Sequence, residues 1–515
     1  MRSLISHLHL FTLSLFLMAC SHVPTDVTKA DELPEIYPDY IGVTIPAELA
    51  PLNFGTPQAD VCCIDVTVKG SQGGELHANG DFADFDIDDW HTLTSQNKGG
   101  TLTFTVCMEK NGRWTQYRDF TVHVSNYPLE EWGLTYRRIA PGYEVYSQMG
   151  LYQRCLATFD EESILENTQA PGMCINCHTS CQTDPERGFV FHVRGDHGAT
   201  MFQRNGQREW LKAKSDLLGG SMVYPYWHPT GRYCAFSTNQ TRQGFHVGIP
   251  APDSLQTAHN RQYPSANNRI EVFDLSSDVF VYRPETHEIL TDSLLQTKDW
   301  SENTPTFSPD GRWLYYMTCR QQSYPMHYKD EKYDLCRIAF DPETGRFGQT
   351  VDTLFHATQM GKSLTWPRPS YDGKYILFTL LDYGYFSIWH EESQQWLLDL
   401  TTGEARELEA LNSPRADSYH NWNLNSHWIV FTSRRDDGLY SRLYLASVDD
   451  KGHWSKPLLL PQQDPLHYYG SSLYSFNVPD FTRTPVTFDA YHAGREILSD
   501  QRVETKGADS VQDKK

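Results

Sequence analysis

The stretch T-P-T-F-S-P-D-G-R-W-L-Y-Y-M, from Thr304 to Met317, decides the fold. A proline-led run gives way to Ser-Pro-Asp-Gly and then to an apolar, aromatic run, which reads as strand, turn, strand. Pro309 and Asp310 preset the turn, and Gly311 supplies the positive φ at which the chain reverses. The pattern recurs as Y-P-Y-W-H-P-T-G-R-Y-C-A-F-S from Tyr224, W-P-R-P-S-Y-D-G-K-Y-I-L-F-T from Trp366 and Y-H-N-W-N-L-N-S-H-W-I-V-F-T from Tyr419. The turns of these three centre on Gly231, Gly373 and Ser426. Two further strand-like runs follow each unit, as at 279–282 with 288–291 or 443–447 with 457–460. Four strands per unit, repeated radially, predict the blades of a β-propeller. Two weaker units at 134–164 and 171–211 bring the count to six. A propeller is therefore expected over 127–490, ahead of a charged tail at 491–515 whose last part, 504–515, is expected to be disordered. The longest insertion, about 239–278, belongs to the unit that starts at Tyr224 and is expected on a binding face.

Inside the second unit, Met173 to Cys181 reads M-C-I-N-C-H-T-S-C, with Cys174, Cys177 and His178 in the C-x-x-C-H spacing of c-type haem attachment. Two thiols on one short turn can form thioethers to the haem vinyls, which leaves His178 under the iron as its proximal ligand. The sixth ligand would come from His192, on the next strand, with Met173, Met201 and His197 as other nearby donors. Haem c is one reading of the box, a structural disulfide or a redox dithiol is another, and an unrelated metal site is the third. His228 and His246, with no carboxylate at ligand spacing, read as loop residues and not as a metal site.

The chain opens with Arg2 and an apolar run at 8–19 that is too short to span a bilayer, which reads as a signal peptide over 1–20. Its end, Leu17-Met18-Ala19-Cys20, resembles the bacterial lipobox, so Cys20 is the expected lipidation site. A linker at 21–34 would follow. The predicted location is the bacterial cell envelope, as an outer-membrane lipoprotein on either its periplasmic or its surface side. In that oxidising compartment Cys319 and Cys336, flanking one connection between strands, are the leading disulfide candidates. Between 35 and 126, short Val/Ile/Phe/Thr runs alternate with Gly/Asn/Asp turns, which predicts a small immunoglobulin-like β-sandwich. A formal charge of -21 argues against a nucleic-acid partner, and the membrane would be reached through the N-terminal lipid only.

The repeats resemble the TolB-type, WD40-like (PD40) propeller family, whose core pattern is P-x-W-S-P-D-G-K-x-I-x-F; Pro305 to Tyr315 matches it most closely and the Ser426 unit least. The runs at 40–54, 137–154, 191–200 and 224–246, with the C-I-N-C-H box, are similar to TolB-like lipoproteins of Bacteroidetes that join a β-sandwich to such a propeller. That resemblance implies an all-β chain in the envelope and a label related to cytochrome c.

The chemistry of the chain is otherwise sparse. No G-x-S-x-G elbow, H-E-x-x-H helix or phosphate-binding glycine loop occurs. Asp310 and Asp372 sit beside turn glycines and are expected to shape those turns. Too few residues follow Phe481 for the α/β domain of a prolyl-oligopeptidase-like enzyme. The expectation is a protein-binding platform for an envelope partner, with haem on the second blade for electron transfer. The alternatives are a haem-free binding propeller with a disulfide at the box, a propeller glycosidase, and a thiol oxidoreductase using Cys174 and Cys177.

Overall fold

A computed structural model of the chain describes residues 23–140, 148–212, 217–218, 221–244, 271–323 and 327–508. The signal-like segment with Cys20, the middle of the blade 3 insertion and His246 lie outside the described residues. The repeats form a six-bladed β-propeller in which each blade is a four-stranded antiparallel sheet, blade 3 gaining a fifth strand. Blades 2 to 6 are continuous in sequence, with inner strands Cys174–Cys181, Ser221–Trp227, Trp300–Phe307, Ser363–Pro369 and Asp417–Trp422. The two weaker units become blades 1 and 2. Turn chemistry acts as its residues imply: Gly231, Gly311, Gly373 and Ser426 all have positive φ, and the Asp310 and Asp372 carboxylates accept the Arg312 and Lys374 backbone N–H groups at 3.0 and 3.1 Å. Neighbouring turns are tied together, His228 Nε2 lying 3.0 Å from Gly311 O and the Asp372 N–H donating to Ser426 Oγ.

Blade 1 closes the ring. Its three outer strands, Gly133–Ile139, Met149–Cys155 and Glu161–Glu166, come from the start of the propeller, and its inner strand, Ser475–Thr482, comes from near the end of the chain. The chain then wraps the outside of the ring. The helix Ala490–Leu498, capped by Asp489, buries Ala493 and Ile497 one turn apart against blades 1 and 2. Glu496 on its outer face accepts from Arg208 and from Trp210 Nε1 at 2.6–2.7 Å. Val503 pairs with Leu211, and Lys506–Gly507 runs parallel to Glu288–Leu290 at the edge of blade 3. Residues 491–508, expected as a charged tail that is disordered from 504, are thus a strap, because their apolar positions have blade edges to cover.

The N-terminal residues form one seven-stranded hydrogen-bonded network, and the helix Ile87–Gln96 packs against it. In this network Thr101–Lys110 pairs along one edge with both Phe120–Val124 and Arg113–Gln116. The two separately bonded sheets of the expected immunoglobulin-like sandwich are not established by this arrangement. Its core runs unbroken into the propeller, where Leu134, Tyr136, Trp428, Leu445 and Phe481 join the same apolar cluster. Trp428 Nε1 donates to Tyr127 O, Ala50 N–H to Leu156 O and Leu424 N–H to Glu131. The module is therefore docked on the ring.

The ten described cysteines are all unbridged. Cys319 packs between blades 4 and 5, and Cys336 packs between blades 3 and 4, so the two side chains leave opposite faces of one sheet. The disulfide expected between them is excluded by that alternation.

Phe481 is fully buried where the closing strand meets both blade 1 and the N-terminal module. Phe481→Ala should cost about 3–5 kcal/mol of stability, read from urea unfolding of the whole chain. A loss under about 1 kcal/mol would mean that ring closure does not depend on this strand's core face.

Candidate functional site

The C-x-x-C-H box is the inner strand of blade 2. Every inner strand of the propeller carries a β-bulge at the same place, and in each the bulge residue is left-handed although none is glycine: Cys177, Tyr224, Thr304, Trp366, Tyr419 and Val478, with φ between 41° and 56°. Thr304 and Val478 are β-branched, for which this conformation is an outlier. The next residue is proline in four blades, Pro225, Pro305, Pro367 and Pro479, where the bulge demands no ladder N–H. His178 and His420 hold that place in the other two. The box is thus the blade signature with histidine in the proline position.

That placement does not fit haem attachment. The box needs its thiols and its imidazole presented from one turn to one side. Here the strand is buried, and the Cys177 thiol lies against the Tyr224 backbone in blade 3 while His178 Nε2 lies 3.1 Å from Thr135 Oγ1 in blade 1. Cys174 Sγ accepts from Arg137 Nη2 at 3.6 Å. The cavity that His178 borders is about 20 Å³, room for a water or two and far too small for a porphyrin. His192, the expected sixth ligand, is on the other face of the same sheet: it pairs with Thr200, whose hydroxyl donates to Met222 O in blade 3. Met201 packs toward blade 1, and His197 Nδ1 lies 2.8 Å from Asp500 in the strap. Among the described residues no group of three His, Cys, Asp or Glu could hold a metal. Nor is the pair of thiols set up for exchange: both are buried, and burial pushes the Cys177 thiol up, away from the reactive thiolate.

The bulges fill the channel. Trp366 stacks edge-on to Tyr419 at 5.1 Å and to Tyr224 at 6.1 Å, and Val478 joins them. From above, the connection between the second and third strands of blade 5 inserts Tyr385, Phe386 and Ile388 into the same cluster. The insertion is pinned by buried carboxylates, Tyr383 OH donating to Glu271 at 2.8 Å and Tyr385 OH to Asp274 at 3.1 Å. Asp274 also accepts from Asn239 and Asn303, which joins blades 3, 4 and 5. These carboxylates hold the insertion in place over the channel.

Two residues beyond each bulge comes a second ring, Thr179, Tyr226, Thr306, Arg368, Asn421 and Asp480, and all but Thr306 line the small cavity at the turn end of the channel. Arg368 is only 6% exposed, its guanidinium 4.0 Å over the Trp366 ring and 5.3 Å from Tyr226. Burial holds its pKa down to about 10, so it stays charged at neutral pH. Asp480, pushed up to about 6 by burial, accepts from Thr179 Oγ1 at 2.9 Å and from the Ser180 N–H at 3.3 Å. Sequence reading missed this ring. The signal was the residue after each proline of the aligned repeats, or after His420 in its place, where Arg368 stands out among Tyr226, Thr306 and Asn421.

No protein-family model matches the chain, and no curated protein matches it. Among solved structures it is similar to an oligogalacturonate lyase in complex with manganese, at 11% identity over 63% of this chain and 73% of that one, with a TM-score of 0.36. It is also similar to prolyl oligopeptidase B from Galerina marginata, at 13% identity over 61% and 40% with a TM-score of 0.35. A puromycin-hydrolyzing peptidase of Mycobacterium tuberculosis aligns at 10% identity over 71% and 52%, with a TM-score of 0.36. The chain spans about half the length or less of these two peptidases, and nothing of the chemistry of any of the three is carried over to it.

Burial pushes the imidazole of His178 down to about 4 and those of His192 and His420 to about 3. A histidine whose folded pKa lies below its unfolded value of about 6.5 binds fewer protons when folded, so its contribution is whole above that value and is lost as pH falls toward the folded one. Asp274 and Asp480, raised to about 6, act with the opposite sign between about 6 and 4. His420→Gln should therefore lose less melting temperature than the wild type between pH 6.5 and about 4. An identical slope in the two would show that His420 is not held neutral in the fold.

Proposed function

We propose that this chain is a non-catalytic binding protein of the bacterial cell envelope, held to the membrane by acyl chains on Cys20 and presenting its propeller to another envelope protein. The observation that carries the reading is the channel. Its axis is filled by interlocking aromatic rings, its upper carboxylates are spent on hydrogen bonds, and both thiols of the C-x-x-C-H box are buried. An electron-transfer role would need haem at Cys174, Cys177 and His178, and Cys177 lies toward blade 3 while Cys174 and His178 are packed against blade 1. A thiol oxidoreductase would need an exposed, low-pKa cysteine at the same place. What remains is a rigid ring with a docked side module and exposed apolar points such as Leu439 and Leu473. The lipid anchor rests on the lipobox-like end of the apolar run, and no helix among the described residues is long and apolar enough to cross a membrane.

Mass spectrometry of the N-terminal peptide from membranes should find acylated Cys20, and Cys20→Ser should move the chain out of the membrane fraction. Photo-crosslinkers placed at Asp372 and Thr230 on one end of the ring, and at Leu439 and Leu473 on the other, should yield one discrete protein adduct in the native host from one end only. Expressed with cytochrome c maturation machinery, the chain should carry no covalent haem on a stained gel. A haem band that vanishes in the Cys174→Ala, Cys177→Ala variant would overturn the reading, as would an unacylated chain with no adduct from either end.

A further inference from the structure

We propose that the cavity at the turn end of the channel is a binding site for a carboxylate group, with Arg368 as its cationic contact. Arg368 is buried, yet its hydrogen bonds within the chain are two, Nε to Asn421 Oδ1 and Nη1 to Pro367 O, each 3.0 Å. Among the described residues no carboxylate comes within ion-pair reach of it; Asp480, the nearest counter-charge, is held across the cavity by Thr179 and Ser180. A guanidinium so little exposed, with donors to spare beside a cavity, favours an acceptor there. Trp366 and Tyr226 stack on the side chain and hold it in place, so the fork is preorganised. The hydroxyls of Tyr226 and Tyr371 line the same cavity and make no hydrogen bond to other described residues. A planar anion matches the fork, and Trp422 and Val478 give an apolar wall for the carbon beside it.

Charge and size choose among anions. The cavity offers one cation and faces Asp480, so a singly charged carboxylate suits it and a phosphate dianion does not. At about 20 Å³ it has room for the carboxylate group itself in place of a water or two, and the carbon chain of any ligand must project outward between the turns. The carboxylate can therefore be that of a small free acid or the C-terminus of a peptide. The site depends neither on the lipid anchor nor on the envelope partner proposed above.

The test is ligand-observed NMR and thermal shift on the full chain at fixed ionic strength. The probes are acetate, propionate, phosphate, and a short peptide with a free or amidated C-terminus. Acetate and propionate should bind saturably, at a Kd of about 1 mM or below, and phosphate should not. Competition by the free peptide and not by its amide assigns the site to chain ends; competition by neither assigns it to small acids. Arg368→Gln should weaken binding at least about tenfold and Tyr371→Phe about threefold, the latter keeping the test decisive if the former fails to fold. Saturable binding that Tyr371→Phe and a folded Arg368→Gln leave unchanged would overturn the site, as would no saturable carboxylate binding or phosphate binding as well as acetate.

Discussion

The closing strand Ser475–Thr482 is the constraint on which the rest of the molecule depends. A propeller is a ring of sheets that each bury one face against the next, so an open ring would expose two complete blade faces. Here the far end of the chain supplies the innermost strand of the first blade and pairs along Gly133–Ile139. The strap that follows continues the closure around the outside, where Ile497, Val503 and Gly507 cover the edges of blades 1, 2 and 3. The same strand supplies Asp480 to the channel and Phe481 to the core shared with the N-terminal module. Closure, docking and the wall of the small cavity thus all draw on a single eight-residue segment.

Around this ring the six bulges set what the channel can do. Each inner strand holds a non-glycine residue in the left-handed region, a strained state that persists because the ladders on either side fix it. The bulge turns Tyr224, Trp366 and Tyr419 inward to form the plug, and two residues later it presents the polar ring with Arg368. Strain, plug and cavity share one cause. It also accounts for the C-x-x-C-H box, whose second cysteine is the bulge residue of blade 2 and whose histidine takes the place of a proline.

Much of the architecture is legible in the residues. The Gly or Ser turns, the proline-led strands and the strand counts fix six blades and their order, because turn geometry and a two-residue period are local properties. The place of the box on the first strand of the second blade is legible for the same reason. The fragment N-V-P-D-F-T at 477–482 carries the repeat signature too, but no second strand follows it in sequence, and so it escapes notice. The strap is missed because its apolar residues, Ala493, Ile497 and Val503, are few and widely spaced among charges.

By itself the sequence determined an all-β, radially repeated fold and its turns, since each depends on neighbours in the chain. Only the tertiary structure decided what the conspicuous chemistry means. Cys174, Cys177 and His178 look like one site because they are adjacent in sequence, yet a buried bulge turns Cys177 toward blade 3 while Cys174 and His178 pack against blade 1. Arg368, Asn421 and Asp480 look unrelated because they lie in three blades, yet ring closure brings them to one cavity. Which side chains share a space is set by how strands far apart in sequence meet around the axis, and no local pattern encodes that distance.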